Sequence, residues 1–141
     1  MPNKVKTRRQ SRESAYKLIY EYLFSGKLND RTESIFTAEE LPYSETEYIR
    51  TVYHGVAEHF DELKSVIEKY AVGFKPDRIF KADMAALMLA IYEMKYMPDI
   101  PMSVSISEAV ELVKTFSTEK SPTFVNGLLA SVYKELSNKQ K

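Results

Sequence analysis

The chain has 141 residues, 44% of them hydrophobic and 28% charged, the size and balance of one compact globular domain and too little for two. Ten Tyr and seven Phe exclude a disordered chain, the absence of cysteine excludes disulfides, thiolate catalysis and cysteine-based metal centres, and four Gly argue against many-turned all-β classes. The formal net charge of zero hides a polarity: within the first 17 residues Lys4, Lys6, Arg8, Arg9, Arg12 and Lys17 face only Glu13, whereas acid dominates from Asp30 to Glu68. A basic arm on an acidic body confines nonspecific attraction for polyanions to the arm and its neighbours.

From Ser11 to Ser25, Ala15, Leu18, Ile19, Tyr22 and Leu23 repeat at i, i+3, i+4, i+7 and i+8, which predicts an amphipathic helix ending at Gly26. Lys27 to Leu41 reads as a connector with one short helical turn, closed by Pro42. Ser44 and Glu47 form a capping-box pattern ahead of Tyr48, Ile49, Val52, Tyr53 and Val56. A second helix carrying Phe60, Leu63, Ile67 and Tyr70 follows a break near Phe60 or Asp61, and Gly73, Pro76 and Asp77 punctuate its end. Ile79 to Met97 is apolar nearly all round and predicts the most buried helix, stopped by Pro98 and Pro101. Its apolar run is broken by Glu93 and Lys95, short of the ~20 residues a membrane span requires, and the expected location is the cytoplasm. Ser105 with Glu108, or Ser103 two residues earlier, is the expected cap of the next helix, which carries Ile106, Ala109, Val110, Leu112, Val113 and Phe116. Ser121–Pro122 opens a last helix with Phe124, Val125, Leu128, Leu129, Val132, Tyr133 and Leu136, in which Gly127 is read as a close-packing position; residues 138–141 are a polar tail. No strand alternation occurs, so the expected fold is all-α, a single domain of six or seven helices.

Little catalytic chemistry is on offer. His54 and His59 are five residues apart and lack metal-ligand spacing, and there is no phosphate-cradling glycine loop or nucleophile motif, so neither a cofactor nor an enzymatic activity is expected. The pairs Glu39-Glu40, Asp61-Glu62 and Glu108-Glu111 are better explained as polar connections and helix-start carboxylates than as acid–base pairs. Glu93, inside the most apolar helix, calls for a structural hydrogen-bonding partner. The basic arm (residues 1–10) and the helix it enters are the exception: Arg9, Arg12, Tyr16 and Tyr20 fall in an ~80° sector expected to face solvent. Guanidinium groups fork onto phosphates and tyrosine rings stack on bases, the combination used by binders of single-stranded RNA. The competing explanation is a cationic helix end whose Arg12 pairs with acids of the body.

Four segments in order, Arg8-Arg9-x-x-Arg12-Glu13-x-Ala15, Ala90-Ile91-Tyr92-Glu93, Asp99-Ile100-Pro101 running into Val104-x-Ile106-x-Glu108-Ala109-Val110-Glu111-Leu112, and Phe124-Val125-Asn126-Gly127-Leu128-Leu129, resemble the NusB family of transcription antitermination factors over the whole chain. The resemblance implies two small helical bundles, no catalysis, and binding of boxA RNA in ribosomal RNA leader transcripts together with NusE, a small-subunit ribosomal protein, within the antitermination complex of RNA polymerase. It assigns Arg8, Arg9 and Arg12 to the family's arginine-rich RNA-binding motif, Phe124 to an RNA-contacting aromatic and Asp83 to the helix that meets NusE. Lys120 stands where the family can have an acid, and is counted with the RNA-binding residues; Met88 and Ser107 replace a common arginine and a frequent asparagine. A related unit precedes the catalytic domain of RNA cytosine methyltransferases, but 141 residues leave no room for that domain, so a free-standing factor is expected. A protein-interaction module, with a second copy of the chain among its partners, is the remaining alternative.

Overall fold

Helix α1 (Thr7–Ser25) stops at Gly26, whose φ of 74° is open to glycine and whose N–H bonds Tyr22 O at 2.8 Å. The structure is a computed structural model and describes residues 7–37, 40–71, 73 and 78–139. Lys4, Lys6, Glu39, Pro76, Asp77 and the end of the polar tail lie outside the described residues. The predicted connector holds a full helix, α2 (Asp30–Thr37). Asn29 caps it, its side-chain oxygen accepting the N–H groups of Arg31 and Thr32 at 3.0 and 3.2 Å, while Asp30 and Glu33 complement the first turn.

Helix α3 (Tyr43–Glu58) turns into α4 (Phe60–Tyr70) at His59, the break expected near Phe60. Helices α5 (Lys81–Tyr96), α6 (Met102–Phe116) and α7 (Ser121–Lys139) complete the chain. Among the described residues there is no strand.

Both expected capping boxes are corrected. Pro42 and Pro101 are the N-cap residues of α3 and α6, at φ −55° and −58°, with no side-chain cap bond. The carbonyl of Pro42 receives the N–H of Glu45 at 2.9 Å, and that of Pro101 receives the N–H of Val104 at 2.9 Å. Proline fixes the turn into each helix earlier than the serine would, and Ser105 is thereby carried inside, where its hydroxyl donates to Glu93 at 2.7 Å. Ser121 likewise turns its hydroxyl back toward Asp83 and the Thr118 N–H.

Every residue of α5 from Asp83 to Met94 is buried. The helix packs against α1 and α3 on one side and α6 and α7 on the other, with α4 bridging α5 and α7. Two helical bundles therefore share one central helix, and their apolar side chains form one continuous core from Ala15 to Val132.

The close-packing glycine is Gly55, not Gly127. A Cβ on Gly127 would meet nothing within 4 Å, whereas one on Gly55 would lie 2.2–2.4 Å from the ring end of Tyr92. Tyr92 is itself held among His59 and Tyr96, whose ring centroids lie 6.2 and 5.2 Å away. Gly55→Ala is expected to destabilise the protein by ~1–3 kcal/mol through overpacking, and Gly127→Ala to leave stability equal or improved; urea melts of the two variants check the contrast.

Candidate nucleic-acid interface

The three arginines of α1 share one sequence neighbourhood and meet three environments. Arg12 is 5% exposed. Its Nε and Nη2 donate to the carboxylate of Glu93 at 2.8 and 3.3 Å, and Glu93, 0% exposed, also accepts the hydroxyls of Tyr48 and Ser105. Burial alone would lower the Arg12 pKa, but the hydrogen bonds and charge of Glu93 hold it above its ordinary value. Burial beside Glu93 raises the Tyr48 phenol well above its own, so the tyrosine stays a neutral donor.

Arg8 is half-buried, makes a bidentate pair with Glu45 at 2.9 and 3.2 Å, and lies 4.3 Å from the centre of the Tyr48 ring. Although burial alone would raise the Glu45 carboxyl, the pair with Arg8 helps hold it below the usual carboxylate range. Arg9 points outward, its side chain 70% exposed, and pairs with Glu108 of α6 at 3.2 and 2.7 Å. Arg9 in turn holds the Glu108 carboxyl below its usual range.

The sector expected to face solvent is therefore split. Arg9 and Tyr20 are exposed, whereas Arg12 and Tyr16 are covered. Side chains of α6 reach across this side of α1: Phe116 packs its ring 5.5 Å from that of Tyr16, whose hydroxyl donates to Ala82 O at 2.9 Å. An angular sector read from α1 alone cannot register a neighbouring helix.

Sequence reasoning missed a row of cations and rings along the open edge of α1. Lys17 Nζ lies 5.4 Å from the ring of Phe116 and Lys81 Nζ 5.2 Å from that of Phe24, while Tyr20 and Phe24 pack edge to face at 5.0 Å. Phe24 is 63% exposed. The i, i+4 spacing Tyr16, Tyr20, Phe24 was the available signal, and its aromatic side chains change from covered to open along the helix.

At the far end of this row a cleft of about 440 Å³ is lined by Arg78, Phe80, Lys120 and Phe124. Lys120 is exposed and Phe124 half-buried against the core. Asp83 also lines the cleft, at 4% exposure, accepting hydrogen bonds from Ser117 at 2.6 Å and Ser121 at 3.0 Å. It fastens α5 to the start of α7 and so positions Lys120 and Phe124. Met88 is buried and Ser107 exposed. His54 Nε2 pairs with Glu33 Oε1 at 2.9 Å.

Fold and face together define a class: a small all-α domain of two helical bundles around a shared helix, with cations set against aromatic rings along one edge. The sequence profile described as the NusB family matches residues 9–134, and the chain belongs to the NusB family. It is 46% identical over 130 residues to the transcription antitermination protein NusB of Ruminiclostridium cellulolyticum, covering 90% of this chain and 88% of that protein. Among solved structures, NusB of T. maritima superposes with a TM-score of 0.81 at 30% identity, with 91% of each chain covered. A chain in the crystal structure of antitermination factors NusB and NusE in complex with dsRNA gives a TM-score of 0.81 at 25% identity, covering 92% of this chain and 98% of that one.

Two expectations follow from this geometry. Arg12→Gln leaves Glu93 as a buried, uncompensated charge and is expected to cost ~3–5 kcal/mol, whereas Arg9→Gln, at an exposed pair screened by solvent, is expected to leave stability close to the parent's; denaturant melts of both variants check the contrast. The second concerns acid. Lys95, followed by Tyr96, lowers the Glu62 carboxyl to about 2, and Lys69, followed by Tyr70, does the same for Glu135, in the same direction as Glu45 and Glu108. Carboxyls lowered in the folded state give stability that is complete above the unfolded value of about 4.3 and is lost as pH falls through the folded value. The melting temperature is expected to hold above about pH 5 and fall steadily toward pH 2, with a shallower fall in Glu62→Gln.

Proposed function

We propose that this chain is a transcription antitermination factor of the cytoplasm that binds boxA-type single-stranded RNA of ribosomal RNA leader transcripts together with NusE, acting within the antitermination complex of RNA polymerase by binding and not by catalysis. The observation that carries the reading is the open edge of α1 in a member of the NusB family: the cations Arg9, Lys17 and Lys81 flank the exposed rings of Phe116, Tyr20 and Phe24. Cations supply phosphate contacts and rings supply stacking surfaces that tolerate any base.

Within this reading, Arg9 and Lys120 contact phosphates and Phe124 stacks at the cleft it lines with Phe80. Arg8 adds a weaker contact, because Glu45 already holds it. Arg12 and Tyr16 act from behind, fixing α1 against α5 and α6. Asp83 supports the partner-binding side by holding the α5 and α7 helix starts together, and NusE contributes part of the affinity and specificity. Residues 1–141 serve as one RNA-binding domain, with residues 1–10 as its basic arm.

Neutralising about three phosphates gives a log–log salt slope of about −2 for single strands, from ~0.7 ions released per contact. Arg9→Gln/Lys120→Gln is expected to reduce the slope toward −0.7 and weaken binding, with folding preserved because both side chains are exposed. Titrations of boxA-type and scrambled single-stranded RNA, and of a duplex of the same sequence, with and without NusE, check this by fluorescence anisotropy. An unchanged slope and affinity in the double variant would remove this edge as the RNA site.

A further inference from the structure

We infer that Glu108 is an intramolecular competitor for the phosphate that Arg9 binds, an inference that rests on the RNA interface proposed above. The guanidinium of Arg9 offers five N–H donors in a fixed fork. Its Nε and Nη2 edge is occupied by Glu108 at 3.2 and 2.7 Å, while the side chain is 70% exposed, leaving the outer edge open to solvent.

Glu108 does not share that freedom. Its side chain is 15% exposed, and Arg12 Nη1 holds its Oε1 from the inner side at 3.8 Å. The carboxylate is therefore anchored while the arginine it pairs with faces the ligand. A phosphodiester either takes the outer edge of Arg9, with the Glu108 charge one guanidinium width away, or displaces Glu108 from the inner edge. In both arrangements the carboxylate charge opposes the phosphate. Glu111 acts on Arg9 with the same sign. Arg8 substitutes only weakly and Arg12 not at all, since one is stacked on Tyr48 and bound to the buried Glu45, and the other is 5% exposed.

The consequence is a threshold. An isolated phosphate gains one shared guanidinium and meets a fixed negative charge. A strand that also stacks on Tyr20, Phe24 or Phe116 and reaches Lys17 has further contacts to overcome that charge. The site therefore prefers extended single strands to mononucleotides, and its affinity in the absence of a partner is held down by one side chain.

Glu108→Gln isolates the effect, because the amide keeps an acceptor for Arg9 and loses the charge. Binding of a boxA-type single-stranded RNA oligonucleotide is measured at fixed salt for the parent, Glu108→Gln, Arg9→Gln, the double variant, and Glu68→Gln, which removes one exposed carboxylate from α4. Glu108→Gln is expected to bind about two- to fivefold tighter. That gain is expected to shrink to less than about 1.5-fold in the Arg9→Gln background, and Glu68→Gln to stay within about 1.5-fold of the parent. Equal or weaker binding by Glu108→Gln, or the same gain with and without Arg9, overturns the inference. In the parent, the Arg9 Nε–H resonance is expected to shift on adding RNA while that of Arg12 stays in place; an unmoved Arg9 signal overturns the inference whatever the variants do. A parent that binds no RNA overturns both this inference and the proposed function, whereas a parent that binds with Glu108→Gln unchanged removes only this one.

Discussion

The Arg12–Glu93 pair is the constraint around which the other contacts are arranged. Glu93 sits in the middle of a helix that would otherwise be wholly apolar, and removing a carboxylate from water is expensive unless every lone pair finds a donor. It finds them in Arg12 from α1, Tyr48 from α3 and Ser105 from α6. Four helices are thus held in one relative placement by donors that converge on one buried carboxylate. Apolar packing would tolerate a slid or rotated α1, because Leu and Ile contacts are not directional. A bidentate guanidinium is directional, so the pair fixes where the arm leaves the body.

That placement decides how the remaining arginines divide their work. With Arg12 pinned inward, Arg8 falls beside α3 and Arg9 beside α6. Three residues of one type within five positions consequently become a core residue, a strap and an exposed cation. The basic arm and acidic body are not independent regions of charge, since each described arginine of the arm is answered by a named glutamate of the body. The formal neutrality of the chain has a local counterpart at this end of the molecule.

Much of the fold was legible because its helices carry plain periodicity: the ends of α1 and α5, the break at His59 and the all-α class follow from spacing and punctuation alone. The helix starts were less so. Ser44 and Ser105 satisfy the capping pattern, yet prolines two and four residues earlier set the backbone first, and Ser105 was needed by Glu93. Glu93 was visibly anomalous in the sequence, but its partners lie 81, 45 and 12 residues away, beyond any local pattern. Gly55 was overlooked for the same reason, since its constraint is a tyrosine ring on another helix, whereas the Asn-Gly of α7 offered a local signal with nothing packed against it. The site was half legible: residue types pointed to a cationic, aromatic face, while which side chains reach the surface depended on α6.

Sharing α5 between the bundles also sets the order in which a growing chain becomes structured. Residues leave the ribosome N-terminus first, so α1 and α3 emerge long before the helix that supplies their central packing surface, and Glu108 follows later still. Until then Arg9 and Arg12 have neither of the carboxylates they meet in the finished protein, and the nascent segment carries its cations unmasked beside a ribosome rich in phosphate. Completion of α5 and α6 then supplies the surface on which α1 and α3 pack, and α7 closes the other half against α5 and α6. Masking of the arm is in this sense a product of synthesis, begun at Arg8 when α3 brings Glu45 and finished at Arg12 and Arg9 when α5 and α6 bring Glu93 and Glu108.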